Sequence, residues 1–241
     1  MKLPEATERF FKRAVGNFLA FVGVSLIIGL IIYFWFPDFM PYIIEEDHLV
    51  ENLSAFSYLL AFVLALWVLK NYQSWRKLTW FVAAMGLIGF FDEISFGERI
   101  INFTSPEFWG EDIDAVHDIL AITYVNLSNI FSFYELLFIV LASVFGMILI
   151  YIKQTKYTLR DFIGNPKNPP GIFLVFFAFF LVTASLFDMK DFIAPLVIME
   201  ELFEMFGGVA LCLYSISLAE MLERAKSSEF VKGKSAAEPA E

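Results

Sequence analysis

Apolar residues along this chain fall into six long blocks, at about 17–36, 52–70, 78–94, 131–152, 171–187 and 194–219. Spanning the hydrocarbon core of a bilayer takes about 20 mainly apolar residues. Backbone groups there must satisfy one another, so each block is predicted to be a transmembrane helix. The third block is short unless it continues through 94–101. Most connections are brief, but 95–130 carries its own pattern. Thr104-Ser105-Pro106-Glu107 reads as a helix start, with Ser105 as cap and Pro106 at the first position. Residues 114–129 then read as a half-polar helix lying at the outer interface between spans three and four. The predicted fold is all-α: a polytopic bundle of six transmembrane spans forming one domain over 1–223. The polar, low-complexity stretch 224–241 is expected to be a disordered cytoplasmic tail.

The basic residues set the orientation. Lys2, Arg9, Lys12 and Arg13 precede span one, and Lys70, Arg76 and Lys77 follow span two. Lys153, Lys156, Arg160 and Lys167 lie between spans four and five, and Arg224, Lys226, Lys232 and Lys234 follow span six. Only Arg99 and Lys190 fall on the other side. The positive-inside rule therefore predicts that both termini are cytoplasmic (N-in, C-in).

Composition agrees with a membrane protein and excludes an ordinary soluble domain. Hydrophobic residues make up 59% of the 241, against roughly 45–50% for soluble chains. A net charge of −10, with the basic residues confined to short loops, gives no footprint for nucleic acid. A single cysteine, Cys212, rules out a disulfide within one chain. Residues 1–16 are basic and amphipathic and lead into span one with no small-x-small cleavage pattern, so that span reads as uncleaved. The expected location is a prokaryotic cytoplasmic membrane, in contact with lipid, and a homo-oligomer is compatible with it.

What changes the picture is where the acids fall. On the predicted orientation, Asp38, Glu45, Glu46, Asp47 and Glu51 lie outside, as do Asp92, Glu93, Glu98, Glu111, Asp112, Asp114 and Asp118, and Asp188 and Asp191. Spans one, three and five end in Phe36-Pro37-Asp38, Phe91-Asp92 and Phe187-Asp188. Spans two, four and six begin near Glu51, Glu135 and Glu200. Three hairpins with acidic outer tips would gather carboxylates around one centre. An acid near hydrocarbon is costly and is by default a functional-site hypothesis.

Span six carries the densest set, Met199-Glu200-Glu201-Leu202-Phe203-Glu204-Met205-Phe206-Gly207-Gly208. Glu200 and Glu204 share a helical face at a spacing of four, and Glu204 lies roughly 15 Å below the helix start. Gly207 and Gly208 invite close approach of another helix. Asp92 lies about 22 Å from Lys77 along span three, with Arg99 as the nearest basic residue. Glu51, Ser54 and Tyr58 form one stripe on span two, able to point a carboxylate, a hydroxyl and a phenol at the same cavity. Asp114 and His117 stand three apart, the spacing of carboxylate–imidazole pairs in dimetal helical bundles. His48 lies in an acidic loop. No phosphate loop, dinucleotide fingerprint, zincin motif or nucleophile elbow is present.

Carboxylates with one imidazole suit a divalent metal ion, Zn, Fe, Mn, Mg or Ca. The expected ligands are Glu93, His117, Glu200, Glu204 and Glu51, with Asp92, Glu98 and Arg99 as catalytic residues. This pattern points first to a metal-dependent membrane hydrolase whose activated water attacks a lipid-like substrate. The alternative is a proton- or cation-coupled transporter using the same acids, although the cytoplasmic halves offer little polarity beyond Ser215 and Ser217. A non-catalytic subunit or ligand sensor is the third reading.

At Asp92-Glu93-Ile94-Ser95-Phe96-Gly97-Glu98-Arg99 the chain resembles a family of uncharacterised prokaryotic multi-pass membrane proteins. Their motif reads acid-Glu-Ile-Ser-Trp-Gly-Gln-Arg, followed by Thr-Pro-Glu and Leu-His-Asn segments. Here these are Ser105-Pro106-Glu107 and Val116-His117-Asp118. Phe96, Glu98 and Asp118 depart from the pattern. The resemblance implies a shared site and no known activity.

Overall fold

A computed structural model describes residues 5–39, 42, 49–94, 107–108, 111–112, 169–188 and 195–235. Helix α1 (Glu5–Trp35) is followed by a 3-10 turn at Pro37–Phe39. Helices α2 (Leu49–Asn71) and α3 (Arg76–Glu93) form an antiparallel pair. Strands β1 (Glu107–Phe108) and β2 (Glu111–Asp112) pair antiparallel, Glu107 opposite Asp112. Helices α4 (Pro169–Asp188) and α5 (Pro195–Ser235) complete the order. Apart from that small hairpin, the described elements are all helical.

Three stretches are long and apolar enough to cross a membrane: Arg9–Trp35, Leu49–Asn71 and Ile198–Ser227. Pro170–Ser185 is a shorter apolar helix. They match the predicted blocks one, two, six and five, and are compatible with an integral membrane protein. Block four (131–152) and the interfacial helix (114–129) lie outside the described residues. So does 95–101, the expected continuation of block three; α3 itself ends at Glu93, where the Ile94 N–H bonds back to the Phe90 carbonyl at 3.3 Å.

Two local expectations are corrected. The helix start at Ser105-Pro106-Glu107 does not materialise at Glu107, which belongs to β1. The sequence places Gly110, of a residue type that favours turns over helix, between the paired segments. At the other end, α5 continues to Ser235, so 224–235 is helical rather than an irregular tail. Arg224, Ala225, Lys226, Glu229, Lys232 and Lys234 are good helix formers, and Arg224 pairs with Glu220 one turn earlier. That half-buried i,i+4 pair on a helix surface contributes only about 0.3–0.5 kcal/mol. Glu220→Gln is therefore expected to leave the thermal unfolding midpoint in detergent almost unchanged; a drop of several degrees would show that the pair anchors the helix.

Helix α5 is the hub. Of its apolar window 72% is buried, against 44% for α2 and 11% for α1. It packs along α4 and α2 and touches α1 and α3. The α1–α4–α5 side is an aromatic layer. Phe18 meets Phe173 and Phe180 edge-on at 6.0 Å, and Phe180 stacks on Phe203 at 5.6 Å. Such pairs contribute roughly 0.5–1.5 kcal/mol beyond their buried area. The outward face of α1 instead exposes Val24, Ile27, Ile28 and Phe34. An apolar stripe that long is foreign to a water-facing surface and natural against lipid.

The α2–α3 turn fixes the register of that pair. Trp75 takes a left-handed conformation with φ 64, uncommon for a bulky residue. Its carbonyl accepts from both the Thr79 N–H and the Thr79 hydroxyl at 3.0 Å, while Arg76 donates to Gln73 at 3.1 Å. The hairpin therefore brings the start of α2 beside the end of α3. α5 begins at that same end, and its Glu200, Glu201 and Glu204 come with it.

Candidate functional site

The acidic end of the bundle is assembled from three helices. Glu51, Ser54 and Tyr58 come from the first turns of α2, Asp92 and Glu93 from the last turn of α3, and Glu200, Glu201 and Glu204 from the first turns of α5. All described Lys and Arg residues of these helices lie at the opposite end.

The best-defined contact is between α2 and α3. The Ser54 hydroxyl donates to Glu93 Oε1 at 2.6 Å, with Ser54 fully buried and Glu93 at 7% exposure. A buried carboxyl without such a donor would lose its hydration for nothing. Asp92, Glu51 and Glu201 stand within electrostatic reach of Glu93. Glu204 in turn feels Glu93, Glu201, Glu200 and Asp92. These are acids of three helices acting on one another, so the cluster is one electrostatic unit. Removing the Ser54 donor tests the central contact. Ser54→Ala is expected to destabilise the protein by about 1 kcal/mol, the usual worth of one buried hydrogen bond. An unchanged unfolding midpoint in detergent would show that the bond contributes nothing.

Tyr58 sits at the junction of the three helices and is buried. Its ring lies over Gly89 of α3, where a Cβ would approach it to 2.6 Å, and its hydroxyl lies beside Gly207 of α5, where a Cβ would come to 2.9 Å. Glu93, Glu204 and Asp92 act on the phenol electrostatically. The two glycines therefore clear a slot for the phenol between α3 and α5. One turn along α2, the Ser57 hydroxyl donates to the Ser54 carbonyl at 2.8 Å and reaches the Met205 carbonyl at 3.5 Å. The Cys212 thiol donates to the Ser57 carbonyl at 3.2 Å. These bonds lock α2 onto α5 directly beneath the acids.

The expected residues are thus placed unevenly. Glu51, Asp92, Glu93, Glu200 and Glu204 are brought to one end of the bundle. Glu98, Arg99 and His117 lie outside the described residues, as do His48 and Glu135. Among the described residues, no three carboxylate, imidazole or thiol groups are placed to hold one metal ion. Sequence reasoning had marked the Glu51–Ser54–Tyr58 stripe but not Ser57 or Gly89. Ser57 lies three residues after Ser54 and one before Tyr58, off the stripe, and only a known partner helix would have singled it out.

The chain matches no protein-family model, and neither the curated proteins nor the solved structures contain a significant match to it.

Proposed function

We propose that this acidic end is a proton-exchanging site in a six-span membrane protein with both termini cytoplasmic, and that it couples protons to the movement of a cation. The observation that carries the reading is the alternation of hydroxyl and carboxyl groups across the helices. Ser54 donates to Glu93 at 2.6 Å, and the Tyr58 phenol feels the charge of both Glu93 and Glu204. Several carboxylates drawn together away from water cannot all be ionised without a compensating charge. Protons shared along hydroxyls supply that compensation, and an arriving cation would displace them. On the predicted orientation the cluster opens to the outside of a prokaryotic cytoplasmic membrane.

Purified protein in liposomes carrying an internal pH dye tests this. Imposing a cation gradient should move protons faster than in empty liposomes; equal rates would overturn the proposal. The metal-hydrolase reading shares the carboxylates and adds His117, with Glu93, Glu200, Glu204 and Glu51 as ligands to a divalent ion and Asp92, Glu98 and Arg99 around a lipid-like substrate. It is favoured by the number of carboxylates at one end and requires stoichiometric metal in the purified protein, lost on chelation. Metal bound without flux would replace the transport reading with this one.

A further inference from the structure

Of the three long apolar helices, α1 is the least buried, and it does not press on α5 evenly along its length. At Gly29 the two helices are close, since an added Cβ would meet Ile198 and Leu202 at 3.2 Å. Phe21 still meets Phe206 edge-on at 5.6 Å. From there toward the start of α1, a groove of about 500 Å³ opens between α1 and α5. Phe18, Phe21, Val209 and Leu213 give it apolar walls, and Arg13 and Asn17 line it nearer the helix start.

The polarity of this groove changes along its length. Arg13, Asn17 and Phe21 follow one another at spacings of four, so they share one face of α1. Eight residues, or about 12 Å, separate the guanidinium position from the deep phenylalanine. A charge, then an amide, then apolar walls is the order in which a phospholipid presents its complements. None of the groove's lining residues is acidic. Arg13 and Asn17 are both exposed, and neither makes a hydrogen bond or ion pair among the described residues. The exposed Arg9 stands four residues before Arg13 and adds a second guanidinium to that face. A guanidinium offers paired donors that match phosphate oxygens, and the Asn17 amide offers two more. Walls of Phe, Val and Leu give water too few partners to hold it there, whereas an acyl chain needs none.

We propose that the groove binds one anionic phospholipid from the leaflet at the basic end, its phosphate at Arg13 and Asn17 and an acyl chain along Phe18, Phe21, Val209 and Leu213. Basic pockets between transmembrane helices hold acidic lipid head groups by the same combination of charge and apolar wall. Headgroup charge decides the occupant. A phosphatidylcholine chain fits the same walls, but its choline puts a second cation beside Arg13 and cancels the attraction. Phosphatidylglycerol brings the phosphate charge alone. The site lies at the opposite end of the bundle from the carboxylates and does not rest on the transport reading.

Native mass spectrometry of the full chain tests this, with the protein released from neutral detergent containing equal amounts of phosphatidylglycerol and phosphatidylcholine of identical acyl chains. One lipid should stay bound, with phosphatidylglycerol favoured at least about 5-fold, the discrimination that one cation near a headgroup provides. Arg13→Gln should abolish the preference; the side chain is exposed, so its loss does not threaten the fold. Lys77→Gln removes an exposed cation at the same end of the bundle, on α3 and outside the groove, and should leave the preference intact. Leu213→Trp should fill the groove and displace the lipid although Arg13 remains, and Val209→Phe does the same with a smaller change should the tryptophan prevent folding. Equal retention of the two lipids by the wild type overturns the proposal, as does a preference that survives Arg13→Gln. An equal loss in Lys77→Gln reduces the effect to diffuse surface charge and overturns the site. Lipid kept by the folded groove-filling variants places the acyl chain elsewhere and overturns the groove.

Discussion

Replacing Glu204 by Gln is expected to cut cation-driven proton flux on the order of 10²-fold or more, the scale lost when a positioned acid–base group is removed. Glu93→Gln should do the same. Glutamine keeps the shape and one acceptor oxygen, so the Ser54 hydroxyl retains something to donate to in Glu93→Gln; what disappears is the ability to take up and release a proton. Stability should move the other way. Each substitution removes one carboxyl from a group of mutually repelling neighbours that includes Glu93, Glu200, Glu201, Glu204 and Asp92. Like charges in one buried site disfavour one another, so both variants should unfold in detergent at the wild-type midpoint or above it. Loss of flux with undiminished stability is the signature of a working proton site. A variant that keeps most of the wild-type flux removes its residue from the path, and if both keep it the relay is wrong.

The same acids show what a sequence can and cannot convey. A run of apolar residues announces a buried or lipid-facing helix by length alone, which is why the blocks at 17–36, 52–70, 171–187 and 194–219 were legible from composition and correspond to described helices. The stripe Glu51, Ser54, Tyr58 was legible as well, because spacings of three and four fix a common face without knowledge of any partner. Its target was not. Ser54 meets Glu93 thirty-nine residues away, and only the tight turn at Trp75 sets the register that aligns them. The Gly207-Gly208 pair signalled a close helix approach, yet nothing local indicated that α2 supplies the neighbour or that Ser57 is its point of contact. Where local signals competed, the weaker one was missed. Glu107 and Phe108 pair with Asp112 and Glu111 as strands although a capping pattern precedes them. Residues 224–235 remain helical although their polarity resembles that of a tail.

That helix approach carries the second large effect. In a helix interior, Gly→Ala is ordinarily favourable by roughly 0.5–1 kcal/mol, because alanine surrenders less backbone freedom on folding. At Gly208 the sign should reverse. A Cβ there would overlap the Ser57 hydroxyl and lie 3.0 Å from the Ser57 Cβ and 3.1 Å from the Tyr58 backbone nitrogen. The last two are fixed by the backbone of α2, so the helices must separate. Overpacking a tight contact costs about 1–3 kcal/mol, which outweighs the helical gain and leaves Gly208→Ala destabilised by about 1–2 kcal/mol. Gly208→Leu should exceed the top of that range and part α2 from α5 altogether. For a chain of this size, that corresponds to a fall in unfolding midpoint of roughly 2–4 °C per kcal/mol. Gly23 of α1 is the control: nothing among the described residues lies within 4 Å of its added Cβ, so Gly23→Ala should show the ordinary gain. Adding Ser57→Ala to Gly208→Ala removes the hydroxyl but leaves the 3.0 Å contact, and should restore only part of the loss. Equal midpoints for Gly208→Ala and Gly23→Ala would mean that α2 and α5 do not meet at Gly208.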